Sequence, residues 1–370
     1  MWSWVSDTMK LDSFSASYDE ARDKFLRACG RRDLAVQSHL HPMTGRDGET
    51  LAIDVARLGP TDAENLLVVS SGCHGIEGFC GSAVQIDLLR SDEWHAQCQR
   101  QGLAVLYLHA LNPYGFSWER RVTHENVDLN RNFRDFSQPL PENTAYTAIA
   151  PMLMPKRCPP TLASTLGILT HALRHGRQTV QAAISAGQNQ DPSGLFYGGQ
   201  APTWSNLQVR QILREHGQRC RRIGWIDVHT GLGPSGIAEY IYKGVLDEPS
   251  LARARQWWGP RVTSSLEGDT SSSAGAGMLD QAVMAECPQA QYNGMTLEYG
   301  TVPGRQVLNA LRAEQWLENH PQTGDAQRRR IKQALRAAFY VETDDWKQQV
   351  LTQAREVMQA TLAGLSTPLD

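Results

Sequence analysis

Four short segments of this 370-residue chain carry residue types that bind metals and move protons. They are His74-Gly75-Ile76-Glu77, Asp128-Leu129-Asn130-Arg131-Asn132-Phe133, Asp227-Val228-His229 and Thr296-Leu297-Glu298. Each ends or follows a short apolar run, which places each at a strand end. With Arg120 and Arg121 nearby, they supply two histidines, two glutamates and a cluster of arginines. That set is enough to bind a metal ion, activate a water and hold an anionic substrate.

His-x-x-Glu on a tight turn can bring an imidazole and a carboxylate to one ion, and Gly75 and Gly78 permit the unusual backbone such a turn needs. Two histidines, a glutamate and an open water position form a known catalytic zinc set. His229, after the apolar run Ile223–Val228, is the best third ligand, with Asp227 placed to orient it. A lone His-x-x-Glu is a weak signal, because a histidine hydrogen-bonded to a nearby glutamate is common. Cys73 invites a ligand reading, but a small buried residue at a strand end explains it better. The stretch from Arg120 to Phe133 reads either as a solvated, salt-bridged loop or as a site for bidentate carboxylate recognition. Glu298 is either a structural partner for an arginine or a general base beside a metal.

The elements that must position these residues follow from periodicity. Ser17–Cys29 has helical spacing, and Ala35–His41 and Leu51–Leu58 read as strands around a turn. Leu66–Ser71, Gly78–Leu89 and Leu103–Leu108 form a strand, helix, strand unit that predicts a parallel pair. Asn112-Pro113-Tyr114-Gly115 then breaks the chain. Residues 137–222 read as a loop-rich helical insertion over the catalytic face, with helices over Leu162–Ile184 and Leu207–Cys220. Ile223–Val228, Ile237–Tyr242 and Met295–Glu298 are further strands. Leu308–Leu317, Ala326–Tyr340 and Asp344–Leu362 are helical. The expectation is one α/β domain spanning residues 1–370, a three-layer α/β/α arrangement with a mixed, mostly parallel sheet. In such sheets the site lies at the carboxyl ends of the strands.

Composition excludes several classes. With 41% hydrophobic and 20% charged residues the chain reads as a soluble globular protein. A net charge of −3 offers no attraction to nucleic acid or an anionic membrane. No apolar run is long enough to span a bilayer. Met1–Asp7 lacks the form of a secretory signal. Seven scattered cysteines without a CxxC argue against a disulfide framework. A cytoplasmic location is therefore expected, and the oligomeric state is left open.

The ordered motif set resembles the zinc carboxypeptidase superfamily, the M14-like metallocarboxypeptidases and the related aspartoacylase branch. The shared pattern is H-x-x-E, N-P-x-G, an arginine, D-x-N-R-N, a histidine and a glutamate. It appears here as His74 and Glu77, Asn112–Gly115, Arg120-Arg121, Asp128–Asn132, His229 and Glu298. Tyr197-Gly198-Gly199 with Pro202-Thr203-Trp204-Ser205, and Asp227–Pro234, further resemble a bacterial branch carrying a domain of unknown function, DUF2817. The resemblance covers roughly residues 15 to 365.

The resemblance implies one zinc ion per chain, bound by His74, Glu77 and His229. It implies Glu298 as general base and Asn130 and Arg131 as a clamp on a free substrate carboxylate. Arg121 would polarise the scissile carbonyl, with the adjacent Arg120 contacting substrate. Two departures stand out. The Gly/Ser-rich loop 268–277 lacks the family's covering tyrosine, leaving Tyr240, Tyr242 or Tyr292 as substitutes, although that loop can still act as a lid. Tyr299-Gly300-Thr301 follows Glu298 where an arginine is usual. The expected function is zinc-dependent hydrolysis of an amide bond beside a free carboxylate, on a peptide or small molecule. The alternatives are an aspartoacylase-like deacylase of small N-acyl amino acids and a non-catalytic metal- or carboxylate-binding protein. The base Glu298 argues against the last.

Overall fold

The computed structural model describes residues 11–158, 162–270 and 275–367. Met1–Asp7, read above for a signal, and Ser271–Ala274 of the Gly/Ser-rich loop lie outside the described residues.

Eight strands form one sheet: β1 (Val36–Thr44), β2 (Thr50–Leu58), β3 (Asn65–Ser71), β4 (Ala104–His109), β5 (Arg222–Ser235), β6 (Ala238–Lys243), β7 (Val262–Thr263) and β8 (Gln291–Gly300). Their spatial order is β1-β2-β4-β3-β5-β8-β6-β7. The β3–β4, β3–β5, β5–β8 and β6–β7 pairs are parallel, and β1–β2, β2–β4 and β6–β8 are antiparallel. The sheet is therefore mixed and mostly parallel, as expected.

The helices are α1 (Tyr18–Gly30), α2 (Gly78–Arg90), α3 (Asp92–Arg100), α4 (Pro113–Ser117), α5 (Thr144–Leu153), α6 (Leu162–His175), α7 (Arg177–Ala186), α8 (Trp204–Gly217), α9 (Glu248–Trp258), α10 (Asp280–Glu286), α11 (Gly304–Glu318), α12 (Asp325–Phe339) and α13 (Asp344–Ser366). Strand side chains alternate between the two faces. Leu67, Val69, Val105, Tyr107, Ile226 and Val228 enter one core, with α1, α2 and α13; Leu66, Val68, Leu106, Ile223 and Trp225 enter the other, with α8 and α10. Burial on both faces is why these central strands read as unbroken apolar runs.

The structure corrects several sequence expectations. The single helix read over Leu162–Ile184 is two, broken at Gly176, whose φ of +89° no helix accommodates. Helix α8 was read as part of the insertion, but Val209, Ile212 and Leu213 pack it against the sheet. It begins at Trp204, where Thr203 accepts a cap bond from Asn206 N at 3.2 Å. Helices α3, α4, α5, α9 and α10 and the short strand β7 were not anticipated.

Strands β3, β5 and β8 are neighbours and parallel, so their carboxyl ends share one edge. In that register Ser71 faces Val228 and His229 faces Glu298. Two of the chemical segments are thus brought side by side, and His74 follows three residues beyond Ser71.

Candidate metal centre

His74 leads into a short 3-10 turn, Gly75–Glu77, that runs directly into α2. The turn is held from outside. Gly75 N donates to Arg121 O at 3.1 Å and Ile76 N to Arg120 O at 2.8 Å. A Cβ on Gly75 would lie 2.0 Å from the Gly115 carbonyl carbon, and one on Gly78 would meet the Phe116 ring at 2.5 Å. These glycines are therefore required by close packing of the Asn112–Gly115 turn. The unusual backbone expected of them is absent at Gly78, which has an ordinary φ of −58°.

Three side chains converge. His74 Nδ1 lies 2.9 Å from Glu77 Oε1, and His229 Nδ1 lies 2.8 Å from Glu77 Oε2. One ligand atom from each of His74, Glu77 and His229 falls within 4.8 Å of the others. Both histidines are backed at their far nitrogen by an aspartate: His74 Nε2 by Asp128 at 3.1 Å and His229 Nε2 by Asp227 at 2.5 Å. A proton held on Nε2 by each aspartate leaves both Nδ1 lone pairs facing Glu77. Carboxylates behind metal-binding histidines commonly orient them in this way, so the donor set fits a zinc ion. Asp227 was foreseen in this role; Asp128 was not.

The electrostatics agree. Burial pushes the Glu77 carboxyl up, but His74 and His229 hold it below the usual range. Burial works against the His229 imidazolium, yet Asp227 and Glu77 raise its pKa well above the ordinary value. Cys73 also lies within 4.8 Å of Asp227 and His229. Burial pushes its thiol up to about 12, which suits it poorly to ligation as a thiolate.

Glu298 accepts a hydrogen bond from Leu232 N at 2.9 Å and lines the same cavity. Burial, and then the Glu77 charge, raise its carboxyl to about 7. A carboxylate balanced near neutrality suits proton transfer.

The two adjacent arginines go separate ways. Arg121 donates to Asp128 Oδ2 and Glu77 Oε1, each at 3.1 Å, and its Nη2 lies 2.8 Å from His74 Nε2. Arg120 turns to the opposite side and donates to Glu314 Oε1 of α11 at 2.8 Å and to Asn126 Oδ1 at 2.8 Å. Arg120 does not line the cavity, which corrects the expectation that it touches substrate.

Asn130 and Arg131 both reach the cavity. Leu279 N donates to Asn130 Oδ1 at 2.9 Å, which turns the Asn130 NH2 away from that contact. Arg131 pairs with Asp128 and gives Nε and Nη2 to Ser185 O at 3.1 and 2.7 Å. The Arg131 guanidinium is thus held by the last turn of α7. Phe196, with a φ of +55°, lies beneath the guanidiniums of Arg131 and Arg121 at 5.0 and 5.7 Å.

The cavity measures about 410 Å³. Its walls include Val180, Gln181, Ile184, Ser185 and Phe196 from the insertion, with Val307, Leu308, Leu311 and Phe339 opposite. None of Tyr240, Tyr242 and Tyr292 lines it. Tyr240 packs beneath Arg261, and Tyr242 donates to Val245 O. Sequence reasoning missed Phe196, Phe339 and Lys243, although Phe196 directly precedes the Tyr197-Gly198-Gly199 stretch it had marked.

Comparison with curated proteins finds no match. Among solved structures, the carboxypeptidase A of Helicoverpa armigera is 14% identical, covering 89% of this chain and 75% of its own, with a TM-score of 0.45. A Pseudomonas aeruginosa metallo-carboxypeptidase in complex with (2-guanidinoethylmercapto)succinic acid is 16% identical, covering 88% and 69%, with a TM-score of 0.41. Bovine thrombin-activatable fibrinolysis inhibitor in complex with tick carboxypeptidase inhibitor is 12% identical, covering 94% and 99%, with a TM-score of 0.45. Residues 14–353 match the family model "Protein of unknown function (DUF2817)", and the chain belongs to that family.

Proposed function

We propose that this protein is a zinc-dependent hydrolase of an amide bond beside a free carboxylate. The observation that carries the reading is the convergence of His74, Glu77 and His229 in one cavity with Glu298 paired to His229 across β5 and β8. His74, Glu77 and His229 would hold the ion. When bound, zinc supplies a Lewis acid that lowers the pKa of water and polarises a carbonyl.

The chain's own residues do the rest. Glu298, balanced near neutrality, takes a proton from the attacking water and returns it to the leaving nitrogen. With the Nε2 proton of His74 directed to Asp128, the Nη2 group of Arg121 has no acceptor there and can donate to the developing oxyanion. The Asn130 NH2 and the Arg131 guanidinium take the substrate carboxylate, which replaces Ser185 O on the fork. The apolar walls from α7 and α11 exclude bulk water and strengthen each of these interactions.

A second reading has its own observation. The insertion closes the cavity to about 410 Å³, near the lower end of the range for small-molecule pockets. That size favours deacylation of small N-acyl amino acids over cleavage of long peptides. Zinc-loaded protein assayed against C-terminal peptides, N-acyl amino acids and the amide of each tests both readings. Hydrolysis of acids and not amides supports the proposal, and the better acid chooses between peptide and acyl amino acid. Equal hydrolysis of acid and amide defeats it.

A further inference from the structure

Lys243 ends β6, and the β6–β8 register sets it on the face that carries Glu298. Glu239 pairs with Glu298, Ile241 with Thr296, and Lys243 with Gly294. Because every second residue shares a face, Ile241, Lys243, Thr296 and Glu298 all line the one cavity. Lys243 also borders a small recess beneath it, shared with Asn130, Asp280 and Thr296.

Besides the histidines, three basic side chains line the cavity: Arg121, Arg131 and Lys243. Both arginines are engaged by carboxylates or by Ser185 O. Among the described residues no hydrogen bond, and no ion pair within 4.0 Å, engages the Lys243 ammonium. It is half-buried, and burial pushes its pKa down against the attraction of Asp280 and Glu298. Asp280 stays outside ion-pair range, and its Oδ1 is itself buried without a hydrogen-bond partner. An ammonium partly withdrawn from water without an acceptor is costly to maintain. Its position beside the substrate cavity suggests that the missing acceptor arrives with the substrate.

We infer that Lys243 is a specificity-determining residue that binds a second anionic group of the substrate, the carboxylate of an acidic side chain. The inference rests on the hydrolase reading, in which Asn130 and Arg131 hold the first carboxylate. From Gly294 to Glu298 is about 13 Å of strand, and the lysine stem reaches back along part of it, leaving room for an aspartate- or glutamate-type side chain. A single ammonium flanked by Asp280 matches a carboxylate monoanion better than a phosphate dianion. The preferred substrates are therefore amides of dicarboxylic amino acids.

The test compares N-acetylglutamate with N-acetylglutamine, which differ only in the side-chain charge. Calorimetric titration of zinc-loaded protein in the Glu298→Gln background, to prevent turnover, should show the acid binding about tenfold or more tightly. Adding Lys243→Met should abolish that preference while zinc content and melting temperature hold; Lys243→Arg should keep it. Lys243→Gln serves if Lys243→Met folds poorly. Equal affinity for the pair, no binding of either, or a preference that survives loss of the ammonium overturns the inference. Turnover is scored separately with the Glu298 protein. Absence of hydrolysis of any N-acyl amino acid or peptide defeats the hydrolase reading and leaves the binding comparison to stand by itself.

Discussion

Arg131 gives two N–H groups to the carbonyl of Ser185, in the last turn of α7. Carbonyls at a helix end lack intrahelical partners and favour a cation, so this bond fastens the insertion over the cavity. Under the proposed function a ligand carboxylate would compete for the same fork. Binding of an N-acyl amino acid should therefore speed amide exchange across α7, measured by hydrogen exchange, while α13 stays unchanged. Arg131→Lys cannot form the fork. It should cost on the order of 2 kcal/mol in kcat/KM and weaken discrimination between an acid and its amide. Unaltered discrimination would remove Arg131 from substrate recognition.

The ligand set makes a separate prediction. His74→Ala and His229→Ala should each lose zinc, as read by metal analysis of purified protein. Asp128→Asn and Asp227→Asn should weaken zinc binding by about 10- to 100-fold without abolishing it, since each orients one imidazole. Cys73→Ser should keep full occupancy. Zinc lost from Cys73→Ser but retained by His74→Ala would move the ion to the Cys73, Asp227 and His229 group.

Catalysis by Glu298 is distinguished from a structural role by a charge-neutral change. Glu298→Gln keeps an oxygen for Leu232 N and should retain zinc and fold. Its kcat should fall ~10²-fold or more, the usual loss when a general base is removed. Near-normal turnover would return Glu298 to the structural role that its sequence context also allowed.

What the sequence revealed of this site depended on how locally each feature is built. His74 and Glu77 are joined by a single turn, so their spacing marked them as a pair, a weak signal that the ordered motif set strengthened. The strands that carry His229 and Glu298 are buried on both faces, and their apolar runs announced them. Arg120 and Arg121 were inseparable by sequence because their directions are decided by Glu314, 194 positions away, and by Asp128 and Glu77 on the other side. Gly75 and Gly78 were noticed for the wrong reason, since the turn that crowds them starts at Asn112, more than thirty residues later. Lys243 ends an ordinary strand, and only the antiparallel register of β6 on β8 carries it to the cavity. The division of the insertion helix at Gly176 went unread because the apolar period continues across it.

Arg120 should behave as a structural residue. Glu314, buried beneath it and also paired with Lys332 at 2.8 Å, is held below its ordinary pKa by both cations despite burial. Arg120→Met leaves that carboxylate with Lys332 alone, and should cost on the order of 2 kcal/mol of stability. KM for the best acid substrate should not change. A raised KM with unchanged stability would instead put Arg120 in contact with substrate.

The Glu298 carboxyl also predicts how the metal-free protein responds to pH. Burial and Glu77 raise it from 4.5 to about 7 in the folded chain. The unfolded chain loses that proton near the ordinary value. Between the two values the folded state holds more protons, so this group makes stability fall as pH rises, and above about 7 its full penalty remains. Glu298→Gln has no proton to lose there. In chelator, the variant's stability advantage over wild type should therefore grow from about pH 4.5 to about pH 7 and then level off, as measured by urea unfolding across that range. Zinc bound beside Glu298 adds a positive charge that favours the carboxylate, so loading the metal should shrink the pH-dependent part of the difference. An advantage independent of pH in the metal-free protein would mean that Glu298 is already ionised at low pH. A group of that kind would be a weak base for abstracting a proton from water.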